Sequence, residues 1–511
     1  MNETQAISRA HDQRVLKRGF ITRLDLLLIL TLAVCIVRLW IMPLPSSLWV
    51  DEMGTYFVVH HGVNDPTLQA APQVPASIYY ALPKFAEQVA GFSEVSYRFF
   101  SVIAMLGSLA ALAWIASRLI HPNAGWFVVF AAMTSRGFNY QADDARPYAL
   151  GTFVFTLSVF LLIRWLDSGR LRDGLFFAGA ASLLWWVHMV FWPFYLIFAI
   201  YTGFRISRSG APTGWNQAIA VFAIMTCAVV PVALRAISLL HEASAHVVVP
   251  VPRVRELLLI LKLKALIATL AGAFLLSRLL RWRRAAEHSI STAGIALILA
   301  WWLIDPLCLF AFSRITGSSL FVARYLYLAL PGVALTAAAL VALFIPANWW
   351  KPVALALGLG ILVFMGQWRH LWPEHHNSNW RAAAASLRGW ASDGNVPVVC
   401  PSPFIEAQPP VWNPDYPVRG FLYSNLAVYR TPGQIYPFPF VTSAEAERYA
   451  RNLAGGALIQ AGRFAIYGGD RNVEFWRRWF AARPELAGWR NRRLGLFGDV
   501  EVAVFSKAPE S

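Results

Sequence analysis

From Leu24 to about Trp368, stretches of about 20 predominantly apolar residues recur, separated by short polar turns. In hydrocarbon every backbone N–H and C=O must find its partner inside the protein, and a helix does this within its own segment. Runs of this length therefore fold as membrane-crossing helices. Of the 511 residues, 57% are hydrophobic, against about 45–50% in soluble domains. The first run is too long for the apolar part of a leader peptide and lacks a small-x-small end, so it reads as a retained span.

The net charge of +16 would suit a polyanion partner. The basic residues, however, fall largely in short loops and in the tail, and the loop share is what orientation in a membrane requires, so no nucleic acid is implied. Arg9, Arg14, Lys17, Arg18 and Arg23 precede the first span and put the N-terminus in the cytoplasm. Arg164, Arg170 and Arg172, then Arg205 and Arg208, then Arg278, Arg281, Arg283 and Arg284 mark the same side again. About eleven spans satisfy this alternation and deliver the tail outside. The expectation is an all-α polytopic module over residues 24–369, after a cytoplasmic segment 1–23 and with a long first external loop, 43–95. Within that loop Ile78 to Phe85 reads as an amphipathic stretch along the interface.

From residue 370 to 511 the composition turns polar and aromatic, and the chain reads as an extracytoplasmic α/β domain. Helices are expected at Trp380–Trp390, Ser443–Leu453 and Val473–Phe480, and strands at Val396–Cys400, Phe464–Gly468 and Val500–Phe505. Cys35, Cys227 and Cys308 lie in apolar runs and only Cys400 in the tail, so no disulfide framework follows.

Against this background a few polar residues stand out on the external side. Asp51 and Glu52 follow the first span by a few residues. A carboxylate at a drier interface has the raised basicity a general base needs, although a solvated loop pair or a helix-start charge would look the same. Asp143 and Asp144 open the fourth span, followed by Arg146 and Tyr148. They fit an acceptor or metal site with a phosphate-holding arginine, or an acidic helix start complementing the macrodipole. His188 lies between two spans amid Trp185, Trp186 and Trp192, as a ligand, a phosphate donor or an aromatic-belt residue. Arg324 and Tyr325 open the tenth span, where a guanidinium grips a lipid phosphate or snorkels. Lys84, Lys262 and Lys264 are further phosphate partners, unless the last two snorkel. Asp305, inside the ninth span beside Pro306, marks either a functional site or a pair with a nearby lysine. His241 and His246 lack the i, i+4 spacing of a zinc pair.

In their order these motifs resemble the GT-C membrane glycosyltransferases, which include the protein O-mannosyltransferases and the bacterial lipid A aminoarabinose transferase. The resemblance runs through Asp51-Glu52, Tyr79-Tyr80, Gly91-Phe92-Ser93-Glu94 with Arg98, and Ala145-Arg146-Pro147-Tyr148. It continues through His188, Ala323-Arg324-Tyr325-Leu326, Leu330-Pro331 and Trp380-Arg381-Ala382-Ala383. It implies a multi-pass protein of the inner (plasma) membrane that takes a sugar from a polyprenyl-phosphate donor. The acceptor would be a hydroxyl of a glycan, lipid or protein on the outer face. By resemblance Asp51 is the base, Asp143 or Asp144 a second acidic site residue, and Arg146 and Arg324 hold the donor phosphate. Glu52 is counted with the catalytic acids, and Lys84, Tyr148, His188 and Tyr325 join the two arginines as candidate substrate-binding residues. Some members hold a divalent metal ion; this sequence shows no full ligand set. Val74-Pro75-Ala76-Ser77 departs from the family's His-Pro-Pro-like turn. A transporter or flippase of a lipid-linked glycan is the alternative, on Asp305 with Lys262 and Lys264, but paired half-helices or repeats are missing. A non-catalytic assembly subunit is a third reading.

Overall fold

In the computed structural model the described residues are 22–71, 77–208, 211–243 (backbone only for 238–243), 250–282, 290–365, 371–391 and 396–507. The expectations for residues 1–21, 74–76 and 283–284 and for His241, Glu242 and His246 fall wholly or in their side chains outside them.

The bundle is built from α1 (Arg23–Ile36), α4 (Glu94–Leu119), α5 (Ala124–Met133), α6 (Tyr148–Ser168), α7 (Leu171–Val187), α8 (Phe194–Arg208) and α9 (Trp215–Ala243). It continues with α10 (Val254–Ile260), α11 (Leu263–Leu279), α12 (Thr292–Thr316), α13 (Leu330–Val341) and α14 (Trp350–Phe364). Two more helices, α2 (Val50–His61) and α3 (Ala81–Ala90), lie in the first loop. Every expected span has a helical counterpart. Among the described residues eight are long and apolar enough to cross a membrane, nine if α10 and α11, bent by 43°, count as one. The expected third span is the 10-residue α5 and the fifth the 17-residue α7.

The bundle core is large and aromatic, with Trp40, Trp165, Trp301 and Trp350 all buried in it. Helices approach closely where glycine removes the side chain. A Cβ on Gly332 of α13 would stand 2.6 Å from the Trp302 nitrogen of α12. At one end basic loops meet acids: Arg118 and Arg205 both pair with Asp167, and Lys351 with Asp25. Lys262, in the left-handed conformation (φ 53°) between α10 and α11, and Lys264 both face outward. Asp305 of α12 is fully buried, and no lysine pairs with it among the described residues. The alternative of an intramembrane Asp–Lys pair is corrected accordingly, because Lys262 and Lys264 turn their charges out. On α3, Phe85 and Val89 form an exposed apolar side, as befits a helix resting on a membrane surface.

The tail carries α15 (Trp380–Trp390), α16 (Ala444–Gly455) and α17 (Asp470–Ala481) around five strands. These are β1 (Pro397–Pro401), β2 (Gln434–Phe438), β3 (Arg463–Gly469), β4 (Arg490–Phe497) and β5 (Val500–Ser506), in the order β2-β1-β3-β5-β4. The β2-β1-β3 pairs are parallel and β3-β5-β4 antiparallel. Ser443 caps α16 through its side chain. The core under this sheet does not stop at the tail: Leu48, Met53, Phe57, Leu68, Tyr79 and Tyr80 of the first loop belong to it.

One side chain of the tail bonds both the first loop and the start of α4. Tyr429 Oη accepts from Leu48 N (2.8 Å) and donates to Glu94 Oε1 (2.9 Å). Tyr429→Phe strands a buried N–H, which costs about 1–3 kcal/mol. A lower unfolding temperature in detergent is expected; an unchanged one would show that this bond does not join loop and tail.

Candidate active site at the bundle end

The site is assembled on α2. Glu52 reaches back to accept from Trp49 N at 3.1 Å, which closes the first turn, and two acids near the N-terminus suit the helix dipole. Successive helical side chains diverge by about 100°. Asp51 and Glu52 therefore point to different places.

Glu52 points inward. Its Oε1 accepts from Arg98 Nε (2.7 Å) and Ala145 N (2.7 Å), its Oε2 from Arg98 Nη2 (2.5 Å) as well as Trp49 N. Both side chains are fully buried. Burial alone would raise the Glu52 carboxyl, but Arg98 overcomes it and holds the group below the usual carboxylate range. Arg98 also donates to the carbonyls of Leu44 (2.8 Å), Ser46 (2.8 Å) and Ser47 (3.2 Å), so one guanidinium fixes the turn that leads into α2.

Asp51 points to the open side. Arg324 Nη1 lies 2.8 Å from its Oδ2, and Arg146 Nη1 donates to its backbone carbonyl at 3.0 Å. Arg146 is held over the Tyr148 ring and Arg324 over the Tyr325 ring, and the Nε of each arginine is buried without a hydrogen-bond partner. His188 completes this wall, 5.8 Å from Tyr148 and 5.4 Å from Tyr325. Its Nδ1 accepts from Val190 N. Burial, then the charges of Arg146 and Arg324, hold its imidazole neutral, lowered to about 3.

The loop between α5 and α6 closes the third side. Thr55 Oγ1 donates to the Ala145 carbonyl (2.9 Å) and Ser101 Oγ to that of Asp144 (2.7 Å). Asp143 and Asp144 are buried. Asp144 Oδ1 accepts from Trp49 Nε1 at 3.0 Å, and burial first of all raises its carboxyl. Between the two acids sits His375 from the tail, 3.0 Å from Asp143 Oδ1 and 3.6 Å from Asp144 Oδ1.

Nine of the ten expected side chains thus meet at one end of the bundle. Lys84 is exposed on α3 and, among the described residues, makes no ion pair or hydrogen bond with the others. Two participants went unassigned in the sequence. Arg98 was visible only as part of a motif, and His375 had no signal beyond the Glu374-His375-His376 run after the last span.

Ligating atoms of Glu52, Asp144 and His375 lie within 4.8 Å of one another, close enough to surround a divalent ion. The set does not fit one as it stands, because each Glu52 oxygen already receives two N–H donors.

A large helical bundle with a carboxylate helix after its first span and a mixed-sheet tail packed on that helix is a fold of the GT-C type. Among solved structures, ArnT from Cupriavidus metallidurans in the apo state superposes with a TM-score of 0.53 at 12% identity, over 93% of this chain and 97% of that one. ArnT from the same organism bound to undecaprenyl phosphate gives 0.49 at 10% identity, over 93% and 97%. The Archaeoglobus fulgidus oligosaccharyltransferase in complex with Zn and sulfate gives 0.47 at 12%, over 86% and 68%. At these identities the likeness is one of fold. No family model and no curated protein sequence matches the chain.

Removing one partner of a buried ion pair costs about 3–5 kcal/mol, so Arg98→Met is expected to destabilise the protein by that amount. Because the Glu52 carboxyl is depressed in the fold, the stability it contributes is complete above the ordinary carboxylate range and fades as pH falls through the lower folded value. Thermal melts from neutral to acid pH should show this acid loss in wild type and not in Glu52→Gln. Parallel curves would remove the pair from its central role.

Proposed function

We propose that the chain is an inverting glycosyltransferase that moves a sugar from a polyprenyl-phosphate donor to a hydroxyl of a glycan, lipid or protein. The observation that carries this reading is the convergence of Arg324 and Arg146, with their buried unpartnered Nε atoms, on Asp51. Two guanidiniums lined by Tyr148, Tyr325 and neutral His188 suit an anion whose other end is greasy. A phosphate diester with an isoprenoid tail is such a ligand. The fold shared with ArnT supports the same assignment.

In this reading Arg324 passes from Asp51 to the donor phosphate as the donor enters, which frees the carboxylate. The acceptor oxygen attacks the anomeric carbon from the face opposite the phosphate, and its proton goes to Asp51. The bond to phosphate breaks with its electron pair on oxygen, and the two arginines stabilise the departing polyprenyl phosphate. Glu52 acts at one remove by anchoring α2. In this reading this end of the bundle, and the tail, lie on the outer face, in keeping with the positive-inside pattern.

Asp51→Asn is expected to abolish transfer in membranes while leaving the unfolding temperature unchanged; full activity would refute the assignment. Arg324→Ala and Arg146→Ala should each weaken binding of undecaprenyl phosphate, read by native mass spectrometry. A charged contact of about 1.5–3 kcal/mol predicts a roughly 10- to 150-fold loss. Affinity equal to wild type in both variants would place the phosphate elsewhere.

A further inference from the structure

His375, from the tail, lies against Asp143 and Asp144, and its two buried ring nitrogens are in ion-pair reach of these acids without making an ordinary hydrogen bond. Its backbone N donates to Ser46 Oγ (3.2 Å), and Tyr140 covers the ring at 4.2 Å. The neighbouring His376 stacks flat on Trp49 at 5.1 Å and holds Ser378 Oγ at 2.8 Å. Trp49 in turn binds Asp144 and begins α2, two residues before Asp51.

The charges require a second cation here. Glu52, Asp143 and Asp144 are buried together, and Arg98 is fully engaged by Glu52 and the carbonyls of residues 44–47. Two adjacent carboxylates then remain without a guanidinium, and like charges that close cannot both stay ionised in a dry site unaided. Among the described residues, the imidazole of His375 is the cationic group within ion-pair distance of both.

We propose that His375 is protonated and is the built-in cation of the Asp143–Asp144 pair, its ring nitrogens carrying protons where a metal site would need a free lone pair, so that this cluster binds no metal. The electrostatics agree. Burial alone would lower the imidazole, but Asp143, Asp144 and Glu52 outweigh it and raise it to about 10. His376 has no such partner, and burial and then the charge on His375 lower it. Where the cavity is the transfer site proposed above, His375 is a positioning residue that acts through Asp144 and Trp49 on the start of α2. The cation assignment itself does not need that reading.

The test uses the full-length protein purified in detergent without chelator. Metal content is measured by inductively coupled plasma mass spectrometry, and unfolding temperature with and without EDTA, ZnCl2 or MnCl2. Expected are well under one equivalent of divalent metal and an unfolding temperature that neither EDTA nor added metal moves. One equivalent of metal that EDTA removes, with a fall in unfolding temperature, would overturn the proposal. His375→Ala should unfold at lower temperature and recover part of the loss in millimolar imidazole. Paired with Asp143→Asn it should lose less than the sum of the single changes; additive losses would also overturn the proposal. Should His375→Ala fail to fold, the wild-type metal content still decides. Undecaprenyl phosphate binding on the same wild-type sample tests the functional reading separately, because it reports on Arg146 and Arg324 and leaves the metal measurement untouched.

Discussion

The geometry of this site depends on one buried ion pair. Arg98 and Glu52 are both wholly inside the protein, where removing two charges from water costs several kcal/mol each unless every donor and lone pair is met. Here they are met. Glu52 receives four N–H groups, and Arg98 divides the rest of its donors among the carbonyls of the turn before α2. A hydrophobic pair of the same volume would pack as well, but it would not dictate where residues 43–49 run. The pair acts as a jig: it fixes the direction of α2, and therefore the direction of Asp51.

This explains why two adjacent acids do different work. The helical rotation between neighbours sends Glu52 into the protein, while Asp51 keeps 19% of its side chain exposed beside Arg324. Glu52 is neutralised by a partner it cannot leave. Asp51 pairs with Arg324 at the open side, without the four N–H donors that fix Glu52. The same division recurs across the loop from α5, where Asp144 is tied to Trp49 and His375 while Arg146 remains turned toward the open side.

The sequence made the bundle legible because hydrocarbon imposes a length and a composition on every element that crosses it, and the arginine loops supply a phase. The motif residues were legible as polar exceptions at one end of those elements. His375 was not. One histidine in a polar run carries no periodicity, and its partners Asp143 and Asp144 lie more than two hundred positions earlier, so only the packed fold brings them together. In the tail, β1, β3 and β5 were visible as buried apolar runs, whereas β2 and β4 were missed. Both are edge strands. β2 carries Pro437, β4 carries Arg490, Arg492 and Arg493, and edges tolerate, even favour, such residues.

The tail, then, is part of the site's framework. Phe421 meets Gly54 one turn beyond Asp51, where an added Cβ would come within 3.2 Å of the ring, and Phe404 packs behind it at 4.8 Å. The same helix is gripped from the bundle by Arg98 and by the Ala145 carbonyl. A helix held on one face by hydrogen bonds from membrane elements and on the other by aromatic rings from a sheet cannot rotate without breaking one set. Aromatic substitutions in the tail at Phe404 or Phe421 therefore bear on the orientation of Asp51 as directly as changes within the bundle do, although neither ring reaches the carboxylate.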